Sequence, residues 1–250
     1  MSLAAPDFGA ATLRCVFFTQ GIAFETSPAI AALVRLEDLS LDGQIVSLPI
    51  PAQAPPQVPR LQMATRDGSL SLEVSPERFS FSWQIVTPGA TPPQQFLETA
   101  VNAFEAYRAA LPSRLARIAL HVLSFATSEE PAMALARHFC KPEWLRRDDS
   151  LKGALSRCEN FELHAHKRFN LDSGVVVNSW MRCKTGQLTL GSITSNGVAT
   201  DQDINTLVED AQARNLTKEV AANLLHEMWN ESAVVLRSYF PVRDDGATET

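Results

Sequence analysis

An α+β domain built on an antiparallel sheet is what this sequence predicts, from three observations. Two neighbouring runs alternate apolar and polar residues around tight-turn signals. Two long stretches carry apolar residues at helical spacing. The order of elements occurs twice along the chain.

The alternation is clearest over residues 60–86. Leu70, Leu72 and Val74 interleave with Ser69, Ser71 and Glu73, and Phe79, Phe81, Trp83 and Ile85 interleave with Ser80, Ser82 and Gln84. Strand side chains point to opposite faces with period two, so each run has one apolar and one wet face. Asp67-Gly68 supplies the positive φ of a tight hairpin, and Ser75-Pro76-Glu77 supplies a second turn. The prediction is a three-stranded meander whose Phe79, Phe81 and Trp83 are core rather than base-stacking residues.

Pro92 and Pro93 then open a helix in which Phe96, Leu97, Ala100, Val101, Phe104 and Leu111 form a stripe, and Pro112 stops it. A strand over 117–125 and a short helix over 131–139 follow. Beyond the charged stretch 141–157, strands are expected over 161–169, 175–183 and 187–194, with Gly174 and Gly186 as turns. A long helix over 218–239, capped by Thr217, has Val220, Leu224, Leu225, Met228, Val235, Leu236 and Tyr239 among its apolar positions.

Strand, short proline-started helix, three strands, long helix: both parts of the chain read this way. Residues 12–18 lead to Ser27-Pro28 and a helix over 29–36, and residues 117–125 lead to Glu130-Pro131 and a helix over 132–139. Arg14 and Arg117 stand at the same offset from their prolines. The expectation is one domain over 1–250, duplicated as halves of about 12–114 and 115–240, with both long helices packed on one face of the sheet. The small, polar residues 241–250 read as a flexible tail. Residues 48–59 hold five prolines and read as an extended surface connection.

Composition narrows the function classes. At 250 residues, 45% apolar and 20% charged, the chain has a globular make-up and enough apolar residues for a core. A net charge of -6 and a pI near 5.4 argue against unspecific nucleic-acid capture. A run of basic residues (Arg137, Lys141, Arg146, Arg147, Lys152, Arg157, Lys167, Arg168) reads as a solvated face. No leader pattern opens the sequence and no apolar run is long enough for a membrane span. Four cysteines make no disulfide scaffold in a chain this long, so the expected compartment is the cytoplasm.

No residue set forms a catalytic signature, and none is assigned a catalytic, cofactor or metal role. His164 and His166 share one strand face and, with His138, Cys140 and Cys158, offer imidazole and thiol ligands, but at no structural-zinc spacing. Asp201, Asp203 and Asn205 begin like a calcium loop, yet Thr206 and Gln212 stand where glycine and a bidentate glutamate are needed. Ser192 lacks a nucleophile-elbow setting, Cys140 and Cys183 lack an activated-thiolate signature, and His226 beside Glu227 reads as an ordinary helix-face histidine.

Residues 76–82, the helix with Phe96 and Leu97, Arg117-Ile118-Ala119-Leu120, Asp201-Gln202-Asp203 and Leu225-His226-Glu227 resemble a sporadically distributed family of uncharacterised bacterial proteins of about this length. The similarity spreads over 61–240. Where that family shows R-I-G-L-R-Y, this chain has Ala119 and His121. The resemblance implies no activity and carries over no site residue.

The expected function is non-enzymatic: an adaptor that binds a protein partner or itself as a homodimer, in a bacterial stress, mobile-element or defence setting. Two alternatives stand beside it. One is a chaperone-like holder of unfolded chains, the other a metal-dependent hydrolase using His164 and His166.

Overall fold

The computed structural model describes residues 3–20, 24–36, 43–51, 53–85, 93–145, 155–190 and 193–242. The expected flexible tail over 241–250 lies outside them from residue 243 onward, as does Ser192.

A short turn at Ala5–Asp7 leads into β1 (Gly9–Gln20) and α1 (Thr26–Val34). β2 (Ile45–Ser47), β3 (Leu61–Ala64), β4 (Leu70–Ser75), β5 (Arg78–Gln84) and α2 (Pro93–Ala110) follow. Then come β6 (Arg114–Thr127), α3 (Pro131–Phe139), α4 (Pro142–Leu145), β7 (Glu162–Asn170), β8 (Val176–Leu190), β9 (Ile193–Thr206) and α5 (Lys218–Tyr239). The strands form one antiparallel sheet in the order β2-β3-β4-β5-β1-β6-β9-β8-β7. The chain is therefore a mixed α+β protein.

The alternation at the meander translates directly. Leu72 and Val74 pair across from Phe81 and Phe79, and all four are fully or nearly fully buried. Phe104 of α2 stacks on Phe17 of β1 at 4.5 Å with rings 3° apart, while Phe79 meets Phe104 and Tyr107 at 5.6 and 5.2 Å. Leu13, Cys15 and Phe17 of β1 and Ile118, Leu120 and Val122 of β6 belong to the same core cluster as Phe104 of α2 and Leu224, Leu225 and Met228 of α5. Each end of α5 has a partner: the Thr217 hydroxyl accepts from the Val220 amide at 3.4 Å, and the Phe240 amide donates to Leu236.

Several expectations need correcting. Gly186 is no turn: β8 runs through it, and it pairs with Gly197 of β9. A Cβ on Gly197 would lie 2.2 Å from the Ala126 carbonyl and 2.6 Å from the Phe125 ring, so the close approach of β6 requires glycine there. The strand expected over 187–194 is divided, and the polar Asp201–Asn205 run, read as a failed calcium loop, lies in the C-terminal half of β9. Aspartate is a poor strand former, and the burial of Val198, Thr200, Gln202, Ile204 and Thr206 on alternate positions overrides that preference. α1 starts at Thr26, so Pro28 sits inside its first turn rather than opening it. β6 extends beyond 117–125 at both ends, and a further strand, β2, joins the meander.

Removing the central stack by Phe104→Ala should cost about 3–5 kcal/mol of unfolding free energy, read from denaturant midpoints at unchanged slope. The β3–β4 turn carries a pH signature. Thr65 and both the amide and hydroxyl of Ser69 donate to Asp67, holding its carboxyl at about 2 against an ordinary 3.8. A depressed folded-state value stabilises the fold above the unfolded value and loses that contribution as pH falls through the folded one. The stability gap between wild type and Asp67→Asn should therefore change between pH 3.8 and about 2 and stay flat above pH 5, in acid titrations of unfolding.

Candidate functional site

The alternation that buries Leu13, Cys15 and Phe17 turns Arg14, Val16 and Phe18 to the other side of β1. Directly opposed residues on neighbouring strands share a face, so the register builds continuous rows there. Arg14 stands across from His121, His121 from Asp203, Asp203 from Trp180, and Trp180 from His166. The next row runs Val16, Ala119, Asn205, Asn178 and Arg168. On the other flank lie Leu123, Asp201, Arg182 and His164.

Hydrogen bonds tie these rows together. His121 Nε2 lies 3.6 Å from Asp203 Oδ1, which also accepts from Asn205 Nδ2 at 2.9 Å. Asn178 Nδ2 donates to Asn205 Oδ1 at 3.3 Å, and Asn178 Oδ1 accepts from Arg168 Nε at 3.0 Å, with His166 Nε2 3.2 Å away. Arg168 reaches Glu209 at 2.7 Å, and Arg182 reaches Asp201 at 3.2 Å. Arg14 Nε donates to Ser82 Oγ at 2.8 Å. Arg117 donates from Nε to the Thr206 carbonyl at 3.0 Å and lies over the Phe18 ring at 4.6 Å. Burial pulls the Arg117 guanidinium downward, while Asp203 and Glu209 hold it up.

Trp180 is the aromatic centre of this face. It is 37% exposed, His166 stacks on it at 4.3 Å with planes 23° apart, and Arg182 lies 5.7 Å from its ring. Arg14, Arg117, Arg168 and Arg182 are matched by Glu162, Asp201, Asp203 and Glu209. A sheet face carrying charges of both signs suits another mixed-charge surface better than a polyanion.

His164 and His166 share one face, as expected, and His164 Nε2 lies 3.5 Å from Glu162 Oε2. The other proposed ligands are not brought to them. His138 Nε2 contacts the Tyr239 carbonyl at 2.7 Å, and the Cys158 thiol donates to the Asn160 carbonyl. Among the described residues no three His, Cys, Asp or Glu side chains converge as metal ligands. Burial pushes the Cys183 thiol up to about 12, and it raises Cys15 and Cys140 as well, so these sulfurs are held as thiols. Glu227, beside His226, accepts from the Ser173 amide and hydroxyl at 3.1 and 2.7 Å and so secures the β7–β8 turn. A separate open cleft of about 770 Å³ lies where β6 meets α3, lined by Asp7, Thr127, Ser128, Glu130, Arg137 and Asn196. Glu130 and Arg137, from the N-cap and the last turn of α3, pair with each other at 3.1 Å along the cleft wall.

Sequence reasoning missed Arg14, His121, Asp203, Asn205 and Trp180 as neighbours. The period-two spacing of Asp201, Asp203 and Asn205 was the available signal for β9.

Arg117→Ala should cost about 1–2 kcal/mol of stability, since it strips the Thr206 carbonyl of its donor and uncovers Phe18. Arg117→Lys should recover less than half, lacking the planar fork, as measured by chemical unfolding.

No family model matches the chain, and no curated protein matches it at significance.

Proposed function

We propose that this chain is a recognition protein that docks a folded protein partner on the open face of its sheet, around Trp180. The observation that carries the reading is the cross-strand row Arg14, His121, Asp203, Trp180 and His166. It combines an exposed tryptophan, pre-stacked on a histidine, with charges already held by neighbours. Tryptophan and arginine dominate binding energy at interfaces, and side chains ordered beforehand lose less entropy on binding. An antiparallel sheet covered on one side leaves the other available.

The duplicated architecture belongs to the same proposal, with both long helices covering the face opposite the row. The sheet order supports it: β1-β5-β4-β3 outward on one side is matched by β6-β9-β8-β7 on the other. The central register supports it too. Val16 pairs with Ala119, its own counterpart, and the pair Arg14–His121 is mirrored by Phe18–Arg117. β2 is then an addition to the first half.

A photo-reactive residue placed at Lys184, exposed on the open face, should yield a discrete protein adduct in the native host. The same residue at Val234, on the exposed side of α5, should not. Trp180→Ala in the Lys184 background should reduce the adduct at least tenfold, about 1.4 kcal/mol or more. Equal adducts from both positions, or an adduct indifferent to Trp180, would count against the reading.

A further inference from the structure

We propose that two copies of this chain pair antiparallel through β7, with Glu162 of each copy across from Arg168 of the other, joining their sheets edge to edge. This goes beyond the docking face and does not depend on what that face binds.

The sheet ends on β7 at one side and on the three-residue β2 at the other. β7 runs from Glu162 to Asn170 without proline, and its register with β8 is unbroken. The Leu171 amide donates to the Val175 carbonyl at 2.9 Å. In an antiparallel ladder the bonded pairs alternate, so 163, 165, 167 and 169 spend their amides and carbonyls on β8. Those of Glu162, His164, His166, Arg168 and Asn170 point away from the sheet. Such a row is a template for another strand.

The side chains select the occupant and the register. With Ala165 facing Ala165 across the two-fold axis, the bonded positions set Glu162 against Arg168 twice, as an opposite-charge pair, and His164 against His166 twice. On the other face the half-buried Phe161 meets Phe169 twice, and Leu163 lies under the stem of Lys167, whose ammonium already rests 4.8 Å from the Phe169 ring. Ala165, the smallest side chain of the strand, falls at the non-bonded position, where backbones approach closest. Shifting the register two residues removes both Arg168–Glu162 pairs: one way sets His166 against His166, Arg168 against His164 and Glu162 against Asn170, and the other sets His164 against His164 and Glu162 against His166. An unrelated strand would have to supply this same alternation, whereas a second copy carries it by symmetry.

The test is the mass of the full chain in solution, measured by light scattering across a concentration series. Wild type should appear at twice the 27.4 kDa chain mass. Glu162→Arg and Arg168→Glu should each weaken the dimer at least tenfold while circular dichroism stays native. The double exchange should restore it, because the opposite-charge pair is rebuilt with its sign reversed. Ala165→Cys should in addition form a covalent dimer under mild oxidation by a disulfide reagent. A monomeric wild type, a dimer untouched by both single exchanges, or a double exchange that fails to restore it would each overturn the proposal. A monomer that still forms its Trp180-dependent adduct would overturn only the dimer and leave the recognition reading standing.

Discussion

The antiparallel pairing of β1 with β6 is the constraint on which the rest of this molecule depends. It joins the meander of the first part to the strands of the second, and it sets Leu13, Cys15 and Phe17 beside Val122, Leu120 and Ile118 on one face. Slipping that pairing by one residue would turn every side chain of one strand to the opposite face. Phe17 would leave its stack on Phe104, and Arg14 would enter the core without the Ser82 hydroxyl that now accepts from it. Burial of the aromatic group is thus what specifies the register, and the register in turn specifies the polar face.

The two faces of the sheet obey different physics. On the face that buries Leu13, Cys15 and Phe17 the packing is apolar, and Gln202 Oε1, Thr200 Oγ1 and the Tyr107 hydroxyl are buried with no partner among the described residues. Burial raises the Tyr107 hydroxyl accordingly. On the other side, Ser75 and Ser80 have buried hydroxyls with no partner among the described residues, while the charged and amide groups around Trp180 are linked to one another. Asp203 serves His121 and Asn205, Asn178 serves Arg168 and lies against His166, and each link holds the next residue in place. Exposed ion pairs of this kind add little stability one by one. Their consequence is order: Trp180 and its neighbours are presented in one arrangement.

The parts legible from sequence were those whose signal is local. Alternation over β4 and β5 named the buried Leu72, Val74, Phe79, Phe81 and Trp83, and helical spacing placed α2, α3 and α5 within a residue or two. β9 was hidden because its open face carries Asp201, Asp203 and Asn205, residues that read as loop when their pairing partners are unknown. Gly186 misled for a similar reason: a glycine punctuates a turn in most sequences, but here it sits opposite Gly197, where the Phe125 ring fills the space a side chain would take.

By itself, then, the sequence determined the class of most local elements and which side of β4, β5 and α2 would be buried. Period and turn chemistry are written within a few residues of each other, so they survive without knowledge of the fold. Only the tertiary structure decided that Arg14, His121, Asp203, Trp180 and His166 stand in one row and that β7 is left at an edge. Alternation says which face a side chain takes, but not which strand lies beside it; that choice is made by the burial of distant side chains against each other.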